Sequence, residues 1–182
     1  MIFEATRLNG AFVLDLERHD DERGFFARSF CAEEFAEYGL DPSCLQCNIS
    51  FNARKGTLRG MHFQVSPYEE AKLVRCTMGA IHDVIVDLRE ESPTYLEHIA
   101  VELSAENRRM LFVPKGFAHG FLTLTDSAEV FYQMSSIYVL GSASGLRYND
   151  PALEIEWPGM PIEISERDRT WPNYQTSTRS DG

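Results

Sequence analysis

"GTLRGMHFQ", residues 56–64, decides the fold, because its histidine is one half of a pattern completed far downstream. His62 stands between Met61 and Phe63 in a strand-like run. "PKGFAH", residues 114–119, supplies P-x-G-x-x-H with His119 at its end. Jelly-roll metal sites draw two or three histidines and a carboxylate from adjacent strands, and their first half begins H-x-H. Here that half reads His62-Phe63-Gln64, with an amide where a second imidazole would stand. The next carboxylates, Glu69 and Glu70, fall in a loop before Lys72. The scaffold is of the metal-binding kind with an incomplete ligand set, so no metal is expected. His62 is then either a strand histidine with its ring nitrogens satisfied internally or a base. Neutral imidazole suits removal of a proton from carbon beside a carbonyl, given a carboxylate to orient it and cations to stabilise the enolate.

Outward from this stretch the chain reads as strand after strand. "TRLNGAFVLDL", "LVRCTMGAIHDVIVDLR", "HIAVELS", "RMLFVP", "GFLTLT", "AEVFYQMSSIYV" and "LRYND" are short, rich in β-branched and aromatic residues, and cut by Gly, Pro, Asn or Ser. "MGA", residues 78–80, reads as a turn between two of them. One helix is expected in "CAEEFAEYGL", where Phe35 and Tyr38 share a face and Gly39 ends it; "LSAEN" reads as a helical turn or a loop. Strands at this spacing predict a mainly β jelly-roll barrel or sandwich with a short N-terminal helix and a peripheral C-terminal segment. One domain over residues 1–182 is expected, with a tail that frays after about residue 175.

Alternation within strands assigns faces. Ile81, Asp83 and Ile85 share one side, so a buried Asp83 needs a partner. Lys72 shares a face with Val74 and Cys76, which suits a lysine only at a solvated strand end or on a face opening on a polar pocket. His62 and Gln64 share a face while Arg59 falls on the other. A bulge at Gly60 would bring both to one site; otherwise Arg59 acts from a strand end or plays no part.

The totals exclude several classes. Net charge is -11, which argues against nucleic acid or an acidic membrane surface as partner. An anionic ligand would need a local cluster of Arg and Lys. No apolar run approaches membrane-spanning length and "MIFEATRLNG" lacks a signal-peptide core, so a cytoplasmic location is expected. Cys44 and Cys47 form C-x-x-C, but no second pair completes a zinc site. All four cysteines are expected reduced, as small apolar residues.

These stretches, with "DERGFFARSF", "QCNIS", "AKLVRC", "DVIVDLR", "SPTY", "VELSAENRRMLFVPKGFAHGFLTL", "AEVFYQ", "YND" and "IEWP", resemble the dTDP-4-dehydrorhamnose 3,5-epimerase family from about residue 3 to 168. These are cupin-fold enzymes of nucleotide-sugar biosynthesis. The resemblance implies an isomerase that inverts C3 and C5 of a dTDP-linked 4-keto-6-deoxyhexose through an enolate, with no cofactor. It implies His62 as general base, Asp168 as its paired acid, Tyr132 as general acid on the opposite sugar face, and Lys72 as the cation at the enolate oxygen. Arg59 and His119 match substrate contacts; Arg23, Gln46, Asn48 and Arg167 match contacts to the nucleotide or diphosphate. It further implies a homodimer in which the N-terminal segment of one subunit can reach the other's site. Three departures bear on ligand binding: Arg28 replaces a usual glutamate, Cys47 a usual aspartate, and "YVLGSASGL" has small residues where an acid is common. They keep open a C3-only epimerase on a variant sugar. A non-catalytic sugar-binding cupin and a 3,4-ketoisomerase are the alternatives of other kinds.

Overall fold

The structure, a computed structural model, describes residues 1–174. Its elements in chain order are β1 (Ile2–Ala5), β2 (Phe12–Asp15), β3 (His19–Asp21), β4 (Gly24–Phe26), α1 (Ala32–Glu37), β5 (Gln46–Asn52), β6 (Thr57–Gln64), β7 (Lys72–Met78) and β8 (Ala80–Asp87). There follow β9 (His98–Ser104), β10 (Met110–Val113), β11 (Phe117–Thr123), β12 (Ala128–Met134), β13 (Ala143–Gly145), β14 (Glu163–Ile164) and α2 (Glu166–Thr170). Two sheets carry the fold. One runs β1-β2-β10-β7-β12-β5; the other runs β13-β6-β11-β8-β9, with β14 added parallel to β6. β3 and β4 form a separate hairpin.

The chain is mainly β, as its punctuation predicts, and its two sheets bury an apolar layer built on strand alternation. Val74, Cys76 and Val130 of the first sheet meet Ile81, Ile85, Phe117 and Phe121 of the second. The same alternation places Lys72 and Tyr132 on the inner face, so toward one end the apolar layer gives way to a polar cavity. Each outer face has its own cover. Phe35 on α1 packs edge-on to Phe112 at 5.8 Å over the first sheet. Leu146 and Leu153 lie on Met61, Val84 and Val86 of the second. Gly39 ends α1 as expected: it takes φ +70°, its N–H reaches Ala36 O, and the Leu40 N–H reaches Phe35 O.

Three readings are corrected. "TRLNG" is not strand but the turn between β1 and β2, closed by Thr6 N–H on Ala11 O with Gly10 at φ +82°. Asn9-Gly10 is a turn signal that outweighs the β-branched content beside it. "LRYND" is a loop, and the strand comes earlier, at β13. Buried Asp150 accounts for it by accepting the Ala152 N–H within that loop. Cys44 and Cys47 are exposed thiols 3.6 Å apart rather than apolar filler; only Cys76 is buried, and burial pushes its thiol up to about 11. The C-terminal segment covers the second sheet, as a peripheral segment would, but its end also returns to β6. The expectation about the tail after about residue 175 lies outside the described residues. Among the described residues, no helix is long and apolar enough to cross a membrane.

Candidate active site

A cavity of about 450 Å³ opens between the two sheets, within the range usual for small-ligand sites. Gln46, Asn48, Lys72 and Tyr132 line it from one wall and Arg59, His62 and His119 from the other, with Arg167 at the side. Register explains the first wall. Tyr132 pairs with Asn48 on one flank and Val74 on the other, and Met134 with Gln46 and Lys72, so all these residues point inward together.

The second wall needs an irregularity. His62 faces His119, yet Arg59 faces Phe121, so three steps on β6 match two on β11. This one-residue bulge carries Arg59 to the same side as His62. Gly60 makes it feasible: φ is +133°, and a Cβ there would sit 2.5 Å from the Gly120 Cα. Arg59 is then held by its Nε–H donating to Asn52 Oδ1 at 2.7 Å, and buried Asn52 is itself anchored on Ala128 O.

His62 and Asp168, 106 residues apart, meet with Nε2 2.6 Å from Oδ1. An ionised carboxylate only accepts, so Nε2 carries the proton and Nδ1 keeps the lone pair. The carboxylate is delivered by the chain's return to β6. β14 pairs Ile164 with Leu58, Ser165 caps α2 by accepting the Asp168 N–H, and Asp168 Oδ2 accepts the Gly60 N–H at 3.3 Å. Burial raises the Asp168 carboxyl, but the hydrogen bond and charge of His62 and the Gly60 N–H outweigh it. It titrates below the ordinary 3.8. Trp171 lies edge-on to His62 with ring centroids 6.5 Å apart and fills the space that a Cβ on Gly145 would take. The cap pattern Ser165-x-x-Asp168 is the sequence signal for this docking, and reading the chain by strands alone passes over it.

His119 makes a second such pair, its Nε2 2.7 Å from Oδ1 of fully buried Asp83. This is the partner that strand parity requires for Asp83. Burial pushes the Tyr132 phenol above its usual 10, Arg59 opposes the shift and Glu70 adds to it. Lys72 is buried on the inner face rather than at a solvated strand end, with Nζ 2.9 Å from Glu70 Oε1. Gln46 donates to Asn48 Oδ1 and accepts the Tyr138 N–H. Arg167 lies over the Trp171 ring at 4.9 Å. Glu70, Tyr138, Met134 and Ala143 also line the cavity and are missed by the motif reading. For Glu70 the signal is its parity with Lys72, two residues on.

Two expectations meet differently placed residues. Arg23 does not reach this chain's cavity; it sits in the β3–β4 turn, its side chain 89% exposed and paired with Asp21. Arg28 likewise turns to Glu34, at 2.6 Å, and lines a separate small hollow near Met1. Among the described residues, no three His, Cys, Asp or Glu side chains cluster as a metal site. Gln64, at the second-ligand position, instead bonds Glu70, Tyr68 and Ser142.

The family model described as dTDP-4-dehydrorhamnose 3,5-epimerase matches residues 5–176. The epimerase of that name from Methanothermobacter thermautotrophicus is 45% identical over 172 residues, covering 93% of this chain and 92% of its own length. The one from Salmonella typhimurium is 41% identical over 174 residues and 94% of each chain. Among solved structures, the Bacillus anthracis epimerase with TDP and pyrophosphate bound superposes with TM-score 0.91 at 40% identity, over 95% of this chain and 99% of that one. A 3′-monoepimerase from Streptomyces bikiniensis in complex with dTDP-quinovose gives TM-score 0.85 at 31% identity, over 93% and 86%.

Proposed function

Since the chain belongs to the dTDP-4-dehydrorhamnose 3,5-epimerase family, we propose that it inverts C3, and then C5, of a dTDP-linked 4-keto-6-deoxyhexose in this cavity. The observation that carries the reading is that an imidazole–carboxylate pair and a phenol project from opposite walls of one cavity that also presents a lysine.

The 4-keto group acidifies the hydrogens on C3 and C5. His62 Nδ1 takes one as a proton, and the C–H electron pair moves to the carbonyl oxygen as an enolate. Lys72 stabilises that oxyanion in a partly dry site, where a fixed cation acts more strongly than in water. Asp168 fixes the imidazole tautomer and offsets the imidazolium charge. Tyr132 then delivers a proton from the other wall, the carbonyl re-forms, and the carbon is inverted. The phenol, which burial raises further above its usual 10, stands in the protonated form that can donate. Arg59 and Arg167 give this end of an acidic molecule the local positive charge a diphosphate needs. Gln46 and Asn48 suit the nucleotide as amide donors and acceptors.

The proposed assembly is a homodimer. Ile49 and Phe51 on the outer face of edge strand β5 are 64% and 53% exposed, and Met78 is exposed near them. Such a patch calls for a cover. A second copy that supplied it could also bring Arg23, idle in its own subunit, to its neighbour's cavity. The deciding experiment is incubation with dTDP-4-keto-6-deoxyglucose in D2O, followed by product NMR. Deuterium at C3 and C5 with inversion is expected. Deuterium at C3 alone narrows the activity to a monoepimerase, a moved carbonyl makes it a ketoisomerase, and exchange at neither carbon defeats the epimerase reading.

A further inference from the structure

We propose that Glu70 is a positioning residue of this reaction, one that holds the Lys72 ammonium in place and supplies the negative charge in the cavity that Lys72 shares with the Tyr132 phenol. The inference rests on the epimerase reading and adds a residue to it. Glu70 is the one carboxylate among the described residues that line the cavity. Its side chain and that of Lys72 are 4% and 8% exposed, with Oε1 2.9 Å from Nζ. A cation buried this far calls for a compensating charge beside it.

Glu70 is itself held rigidly. Its Oε2 accepts Gln64 Nε2–H at 2.8 Å. Gln64 has no freedom to turn away, because its other amide hydrogen goes to Tyr68 O and its oxygen accepts from Ser142 Oγ and the Val139 N–H. The residue where a jelly-roll metal site would carry its second ligand thus works as a bracket: Gln64 fixes Glu70, and Glu70 fixes Lys72. Six other titratable groups surround the pair. His62 and Arg59 face it from β6, His119 from β11, Tyr132 from β12, Tyr138 from the following loop and Arg167 from α2. Arg59 draws the phenol toward ionisation while Glu70 resists it.

Glu70→Gln keeps the volume and an acceptor for Gln64 while removing the charge. The ammonium then loses its anchor, and the phenol loses one of the charges that oppose its ionisation. The alkaline limb of the kcat profile should move to lower pH, with kcat down about tenfold or more and KM little changed. The acid limb should stay. Glu70→Asp retains the charge on a shorter arm and should restore the alkaline limb but not full kcat. Tyrosinate absorbance read against pH, each protein paired with its Tyr132→Phe version, reports the phenol without turnover; a lower midpoint in Glu70→Gln is expected. Unchanged limb and midpoint in a folded Glu70→Gln protein would overturn the proposal. If Glu70→Gln does not fold, a Glu70→Asp profile shifted like a charge loss would also overturn it. If the wild-type protein exchanges no substrate hydrogen, the epimerase reading fails, and the absorbance midpoint still decides the role of Glu70.

Discussion

His62 and His119 are cross-strand neighbours with the same kind of partner, yet their surroundings separate them. The His119 side chain is nearly closed off, while that of His62 is 42% exposed on the cavity. Only an open imidazole can exchange protons with a ligand, so replacing it should matter most. His62→Asn should lower kcat/KM by about 10²–10⁴ and abolish deuterium incorporation, measured by steady-state kinetics and NMR. Asp168→Asn leaves the ring in place with the wrong tautomer favoured, and should lower kcat with less effect on KM. The Asp168 shift also sets a pH window. Its folded value lies below the ordinary 3.8, so its contribution to stability is complete above that value and is lost as pH falls through the folded one. Acid titration of stability should therefore be shallower below about pH 4 in Asp168→Asn than in wild type. The types at His62, Lys72 and Tyr132 were legible from motifs. Glu70 was not, because its parity with Lys72 gains meaning only from the glutamine across the loop that fixes it.

β6 shows how one element can be read correctly and still mislead. Alternation placed Arg59 opposite His62, and only a bulge at Gly60 reconciles them. The sequence permits that bulge, but the deciding fact, the absence of room between Gly60 and Gly120, belongs to a neighbouring strand. Gly60→Ala should cost about 1–3 kcal/mol through forced repacking and lower kcat/KM as Arg59 and His62 leave register. Gly159→Ala, where a Cβ meets nothing within 4 Å, should stay within about 0.5 kcal/mol of wild type. Thermal denaturation and kinetics on the two variants check this together. α1 was the easier case: spacing and Gly39 specify it locally, and Phe35 ties it to the sheet. Phe35→Ala should cost about 3–5 kcal/mol, read from denaturant unfolding. The short return of β14 and α2 had little local signal beyond Ser165, since a two-residue strand exists only because β6 offers it an edge.

At the scale of the molecule, the sandwich followed from punctuation and alternation, but which residues meet inside it did not, because for a contact 106 residues apart the cap at Ser165 marks one end and nothing local names the other. The same holds for assembly. Phe51→Arg should convert the proposed dimer to monomers in analytical ultracentrifugation, with loss of activity. Mixing Arg23→Ala with His62→Asn protein should restore part of the activity if the hairpin serves the neighbouring subunit, and none if it does not. The cavity between the sheets carries a last consequence. In the proposed mechanism each wall serves one side of the sugar ring, so handedness in the product would be a record of which wall gave and which wall took. An enzyme with one wall silenced can return a proton only from the wall that took one: once the His62 imidazolium has exchanged with D2O, Tyr132→Phe should label the substrate with deuterium while leaving its configuration as it was.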